Sequence, residues 1–402
     1  MISRQHALPL LFALVVIAVT WWLYAPSGGY DFVNFDDNEY VYDNPIVQQG
    51  LNRTTIKWAF STTYNANYHP LTWLSYMTDV SLFGSRPGPM HQVNNVLHAL
   101  AAGLLWLLLY QILRFRPATT LPTTAALAAT CGALLWSLHP QRVESVAWIS
   151  SRKDVLSIIF CLGGLLVWLA NIRNYYGDTP RYSGWRIFSA PAVAPQSAPV
   201  AADPSPFDSA RGLRLTIYYL RLITYYLLPI TCFALGYLCK PTMMVFPAFI
   251  VLLEWHLVGR LRWRPLIPFA VVAIGTLFLT IHAQEGAVSG AIALSDRLLN
   301  ATISISLYLR QLIWPDGLAV FYPFTLPLVT SAIIGGLVTT VIAIALAIYC
   351  WQRYPSVTLA LGWFFAALIP VLGFIHVGSA SRADRYTYLA MLGFSIALST
   401  AV

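Results

Sequence analysis

Charge is what this chain has least of. Of 402 residues, 10% are charged and 16 are acidic, while 57% are hydrophobic and the mean hydropathy is +0.62. That poverty excludes an ordinary water-soluble domain, in which about a quarter of the residues carry charge. The five cysteines, Cys131, Cys161, Cys232, Cys239 and Cys350, lie within apolar stretches or at their ends and lack metal-site spacing, so neither disulfides nor cysteine chemistry is expected. No G-x-x-x-x-G-K-[ST] loop is present, so nothing asks for a nucleotide. None of His69, His91, His139, His282 and His376 pairs with another at i, i+4, which argues against histidine ligation of a metal. An Asp-bound Mg²⁺ or Mn²⁺ is left open, and no cofactor is required.

What fills the chain instead is long apolar runs. A bilayer span takes about 20 such residues, and runs at 8–24, 90–113, 119–138, 155–171, 215–238, 243–258, 266–281, 328–350, 357–375 and 386–402 qualify. The stretch 298–313, broken by Arg310 and ending at Trp314-Pro315, reads as interfacial or re-entrant. The fold class is therefore an all-α polytopic membrane protein with about 10–11 transmembrane helices. Arg4 precedes the first run, but no small-x-small site follows, so that run is read as a retained anchor and not a cleaved signal.

With the N-terminus inside, the inner loops collect Arg4, Arg114, Arg116, Arg173, Arg181, Arg186, Arg211, Arg214, Arg221, Arg260, Arg262, Arg264 and Arg353 against four acids. The outer side keeps 11 basic and 12 acidic residues. This is the distribution that orients membrane proteins, and it explains the net charge of +8 without a nucleic-acid partner. The inner segment 172–214 is rich in Pro and Ala and reads as a linker with no catalytic role. The longest polar segment, 25–88, is a first outer loop in which 71–77 forms a short aromatic-rich interfacial helix.

The outer loops carry the chemistry-bearing residues. Asp36 and Asp37 stand side by side among Phe35, Tyr40 and Tyr42, a packed setting that raises a carboxylate toward the working range of a general base. The turn from His139 to Asp154 holds Arg142, Arg152 and Lys153 with Glu144 and Asp154, and either these ions satisfy one another or the cations meet an anionic headgroup. Lys240 is isolated between apolar stretches, where snorkelling or anion binding are equal readings. The stretch from His376 to Tyr388 brings Arg382 and Arg385 with one acid, Asp384, able to neutralise one of them.

Phe35-Asp36-Asp37, Tyr68-His69-Pro70-Leu71-Thr72-Trp73-Leu74, Asn94 to His98, His139-Pro140 through Val143-Glu144-Ser145-Val146-Ala147-Trp148 to Arg152-Lys153-Asp154, Lys240-Pro241, Trp314-Pro315, Phe321-Tyr322-Pro323 and Ala383-Asp384-Arg385-Tyr386-Thr387-Tyr388 follow one another along nearly the whole chain. In that order they resemble bacterial relatives of the transmembrane and tetratricopeptide-repeat-containing protein O-mannosyltransferases. The resemblance implies a GT-C glycosyltransferase fold across 1–402, a catalytic acidic motif in the first outer loop, and a polyprenyl-phosphate sugar donor. The family's tetratricopeptide repeats are absent from this chain, and the inner linker is longer than the compact loop the resemblance implies.

Residues and resemblance together predict a multi-pass protein of the inner membrane whose site faces the periplasm or exterior. Asp36 or Asp37 is the base, and Arg152, Lys153, Lys240 and Arg385, followed by Arg142 and Arg382, are the donor-phosphate ligands. His69, Glu144, His139 and Tyr386 are assigned to acceptor binding or positioning. The partners are a polyprenyl-phosphate-linked sugar, a protein or glycan acceptor and membrane lipid. A transporter or flippase of anionic lipid is the rival, weakened by the absence of an internal repeat and by charges lying at span ends.

Overall fold

The computed structural model describes residues 4–115, 121–176, 226–285, 292–373 and 380–401. The linker beyond residue 176, the first part of the expected 215–238 span, and His376 and Gly378 lie outside the described residues. The described chain is helical almost throughout, in keeping with a multi-pass membrane protein.

Helix α1 (Arg4–Tyr24) leads into the long polar segment, which holds α2 (Arg53–Ser61) and α3 (Pro70–Phe83). There follow α4 (Pro87–Phe115), α5 (Pro122–Ser137), the short α6 (Val143–Ala147) and α7 (Arg152–Tyr176). The second half contains α8 (Leu228–Cys239), α9 (Phe246–Val258), α10 (Ile267–Gln284), α11 (Leu294–Ile313), α12 (Thr330–Arg353), α13 (Pro355–Leu368), α14 (Thr387–Ala390) and α15 (Leu392–Ala401). Several starts are written locally. Proline occupies the first turn of α3, α5, α8 and α13, where its missing N–H costs nothing. Asn52 caps α2 in a reciprocal box with Thr55, and Gly259, at φ +70°, ends α9 in the left-handed region.

Six segments among the described residues are both long and apolar enough to cross a membrane: Leu8–Gly29, Pro87–Phe115, Ile149–Tyr176, Pro241–Val258, Arg264–Gln284 and Thr330–Arg353. That is fewer than the ten or eleven expected. Leu228–Cys239, Pro355–Val371 and Leu392–Ala401 are apolar but shorter, and α5 has 16 residues. Helix α11, expected not to span, carries Asp296, Arg297 and Arg310 and packs along α12.

Helix α4 is central, lying against α1, α5 and α7, while α8 packs on α7 and α15 joins α5 to α13. The shared core contains Trp136, Trp168, Trp363, Phe233, Phe246 and Tyr388. Helices α10 and α12 show the opposite pattern, with Phe278 68% and Ile348 70% exposed, as expected of surfaces that face lipid. The first long loop has its own smaller core of Tyr40, Val41, Val47, Ala59, Trp73, Tyr76, Met77, Met90 and Ile149. The expected short helix is thus longer than 71–77, and its aromatic face is buried.

Helices α11 and α12 approach closely because Gly336 lies against the backbone of Thr302 and Ile303: a Cβ there would sit 2.7 Å from backbone atoms of both. Its neighbour Gly335 has nothing within 4 Å. Gly336→Ala is expected to cost about 1–3 kcal/mol by overpacking, while Gly335→Ala stabilises by up to about 1 kcal/mol through helix propensity. Thermal unfolding in detergent, compared between the two variants, checks the contrast.

Candidate functional site

The acidic pair separates into two environments. Asp37 is fully buried, and its carboxylate accepts from the backbone N–H of Val33 at 2.9 Å, from that of Ser150 at 2.9 Å, and from the Ser150 hydroxyl. It fastens the first loop to the turn before α7. Asp36, one residue earlier, is only partly buried, and among the described residues no protein group donates to its carboxylate. Burial pushes its pKa above the ordinary carboxylate range. Lys153 and Arg385 oppose that rise, and Glu39 and Asp37 add to it.

The ions of the 139–154 turn do not satisfy one another, as one expectation had it. Three of them pair with distant segments. Glu144 accepts from both the backbone and the guanidinium of Arg385. Asp154 pairs with Lys240, which follows α8. Arg152 is wholly buried between α3 and α4: it pairs with Asp79, and donates to Asn94 Oδ1 at 2.6 Å and to the Met90 carbonyl at 2.8 Å. Lys153, the next residue, forms no ion pair among the described residues. Its Nζ donates to the Tyr40 hydroxyl at 3.4 Å and lies 4.9 Å from the centre of that ring.

Asp384 was expected to neutralise Arg382 or Arg385, and it does neither. It accepts from the Tyr322 hydroxyl at 3.0 Å and from the Ala319 N–H at 3.2 Å. A two-stranded ribbon, β1 (Tyr322–Pro323) with β2 (Ala380–Arg382), carries these groups, and Arg382 sits 3.9 Å over the Tyr322 ring. Arg385 is left for Glu144, with its guanidinium over Trp148 and Tyr386.

A small open cleft is lined by Asp154, Lys240, Thr242, Arg385, Tyr386 and Leu389, among others. Two polar atoms of its wall, Asp154 Oδ2 and Thr242 Oγ1, are buried without a partner among the described residues. The wall combines two cations with aliphatic surface, as an amphiphilic phosphate would require. Of the expected phosphate ligands, Lys240 and Arg385 meet here. Arg152 does not: its nitrogens are committed to Asp79, Asn94 and Met90. Arg142 is buried beneath the site over the Tyr388 ring, with Nη2 donating to Thr387 Oγ1 at 2.5 Å.

Of the residues assigned to the acceptor, Tyr386 lines the cavity and Glu144 holds Arg385. His139 instead caps a turn: its Nδ1 accepts from the Gln141 N–H at 3.3 Å, so Nε2 donates to the Leu312 carbonyl at 3.2 Å. His69 is fully buried at the start of α3, 4.7 Å from the Trp73 ring, with neither nitrogen partnered among the described residues. Burial holds its pKa well below the ordinary value, with help from Lys153, and it stays neutral. Among the described residues no cluster of three or more His, Cys, Asp or Glu side chains fits a metal ion.

Sequence reading missed Asp79, Ser150 and Thr242. Asp79 left a signal, being the one charged residue in α3. Ser150 and Thr242 left none, because a hydroxyl's role is set by what folds against it.

Arg152→Met is expected to lower stability by about 3–5 kcal/mol, because it leaves Asp79 buried and uncompensated. Replacing Asp79 with Leu as well should recover much of that loss. Thermal unfolding of both variants checks this, and equal stability of single and double variants would contradict it.

No family model matches the chain, and no solved structure matches it. Curated proteins do. Protein O-mannosyl-transferase TMTC1 of Mus musculus is 32% identical over 155 residues, which is 36% of this chain and 15% of that protein. Protein O-mannosyl-transferase TMTC4 of Homo sapiens is 30% identical over 172 residues, 40% of this chain and 23% of its own length. Protein O-mannosyl-transferase F38B6.6 of Caenorhabditis elegans is 27% identical over 165 residues, 39% of this chain and 23% of its own. The matched stretch spans less than a quarter of each of these relatives. Within that stretch, the chain is related to the protein O-mannosyl-transferases.

Proposed function

We propose that this chain is the membrane domain of a GT-C glycosyltransferase. It moves a sugar from a polyprenyl-phosphate donor to an acceptor hydroxyl, a protein Ser or Thr, on the periplasmic or outer face of the inner membrane. The observation that carries this is the pairing of an undonated carboxylate, Asp36, with a cationic, partly aliphatic cavity at the same end of the bundle. The relatives' name, protein O-mannosyl-transferase, supports the transfer and the kind of acceptor.

Asp36 acts as the base, taking the proton of the acceptor hydroxyl. The freed oxygen attacks the anomeric carbon from the face opposite the phosphate, so one carbon–oxygen bond forms as another breaks and the configuration inverts. The departing phosphate keeps the bonding electron pair. Lys240, Arg385 and Lys153 hold that growing charge better in the transition state than before it, which lowers the barrier. Asp37, with its oxygens already engaged, positions the loop and takes no proton. Arg152 and Arg142 brace the site, Glu144 orients Arg385, and Tyr386 borders the donor.

Purified protein supplied with a polyprenyl-phosphate sugar and a Ser/Thr peptide tests this by acceptor mass. Asp36→Asn should lose about 10²–10⁴-fold in kcat, the usual worth of a general base. Lys240→Ala should raise donor KM or lower kcat. A wild-type rate from Asp36→Asn would sink the assignment, and movement of the lipid-linked sugar across vesicles without an acceptor product would point to a transporter.

The base must be ionised to work, so activity falls as pH drops through the pKa of Asp36. With that pKa raised by burial, the acid limb of kcat should lie above the ordinary Asp value of about 3.9. A limb at or below it contradicts the role.

A further inference from the structure

Lys240 and Arg385 are the cations of the cleft, but two other polar atoms of its wall are idle. Asp154 gives Oδ1 to Lys240 and keeps Oδ2 unused, and Thr242 keeps its hydroxyl unused; both atoms are buried and have no partner among the described residues. Asp154 as a whole is 2% exposed. A buried acceptor and a buried hydroxyl left unmet destabilise the protein until a ligand completes them.

The backbone explains why Thr242 is idle. Helical threonines elsewhere in this protein donate to a carbonyl three or four residues back: Thr276 to Ala273, Thr302 to Leu299 and Thr130 to Ala126, each at 2.8 Å. For Thr242 the carbonyl three residues back is that of Cys239, at the end of α8, and it accepts instead from Thr72 Oγ1 of α3 at 2.9 Å. Lys240 is extended and Pro241 begins a new turn, so the helical register is broken there. The Thr242 hydroxyl is left for the cleft that this residue lines.

What would satisfy the two atoms follows from their chemistry. A phosphodiester is ionised and has no proton to give, so it can accept from Thr242 but cannot donate to Asp154 Oδ2. That carboxylate oxygen needs a hydroxyl. In a sugar phosphate the nearest one is on the carbon beside the anomeric centre. We propose that the cleft reads both halves of the donor linkage: Thr242 Oγ1 donates to a phosphate oxygen held by Lys240 and Arg385, and Asp154 Oδ2 accepts from the 2-hydroxyl of the sugar. This rests on the proposed polyprenyl-phosphate donor, and it adds that the donor sugar carries a free 2-hydroxyl. The cleft is small, and a phosphate has to part its walls; Lys240 and Arg385, on long rotatable stems, are the side chains able to give way. A hydrogen bond to the 2-hydroxyl also strengthens as the sugar approaches its transition state.

Binding to the full chain in detergent is measured with three probes: mannosyl polyprenyl phosphate, its 2-deoxy analogue, and polyprenyl phosphate without a sugar. The wild type should bind the 2-deoxy analogue about 10–100-fold more weakly than the mannosyl lipid, the worth of a hydrogen bond to a charged group. Asp154→Asn should lose most of that preference, yet bind the sugar-free lipid as well as the wild type or better, because a negative charge beside the phosphate is gone. Thr242→Val should weaken all three probes alike by about 10-fold, and Thr242→Ser should restore them. Equal affinity of the wild type for the mannosyl and 2-deoxy lipids would overturn the Asp154 contact. Unchanged affinities in Thr242→Val, the result of a lone water in the cleft, would overturn the Thr242 contact, and a chain that binds none of the probes would overturn both. Failure of the transferase reading looks different: the pattern of affinities holds, and no acceptor gains mass.

Discussion

A charge inside an apolar helix bundle must find an opposite charge or a full set of hydrogen bonds, because leaving one partner alone costs several kcal/mol. In this protein the need is met across segments far apart in sequence. Glu144 reaches Arg385, Asp154 reaches Lys240, and Asp79 reaches Arg152. Each pair ties two or more elements together at the same end of the bundle. These pairs need not add net stability over apolar substitutes, but once present they admit few alternative arrangements of the loops that carry them.

The same requirement sorts the acids. A carboxylate with three donors, as in Asp37, is a fastener: moving it would unseat Val33 and Ser150 together. A carboxylate with none, as in Asp36, still has its lone pairs to offer. The two residues are chemically identical and adjacent, so the difference lies wholly in what folds against them. Backbone N–H groups aimed at one and cations facing the other at longer range divide the labour between structure and chemistry.

Apolar runs made the membrane class legible, because hydropathy over about 20 residues is a local property. Among the described residues fewer clean spans appear than expected, since α5 and α13 are apolar but short, and length within a buried bundle is set by neighbours as well as by lipid. The ordered motifs named most residues that the structure brings to one end: Asp36, Lys153, Lys240, Arg385, Glu144 and Tyr386. They did not reveal pairings. Arg152 and Lys153 are consecutive and looked equivalent, yet the first turn of α7 points one at Asp79 and the other at Tyr40. Asp384 looked like a counter-ion for its neighbours, but the ribbon of β1 and β2 delivers Tyr322 to it first.

Pairing also has a functional cost, since a phosphate ligand fully bound to a carboxylate is less available to phosphate. Lys240 and Arg385 each keep an acid partner in the cavity region, so an arriving anion must share them, and their role is to hold a charge that grows as the sugar–phosphate bond breaks. Lys153 is arranged otherwise: it lies against Tyr40, donating to its hydroxyl at 3.4 Å, and among the described residues it has no carboxylate of its own. A site with two tethered cations and one loosely supported cation can bind a modest ground-state charge and respond to a larger one. That asymmetry is what differential stabilisation of a transition state requires, and it follows from giving Glu144 and Asp154 a partner before the substrate arrives, and Asp36 none among the described residues.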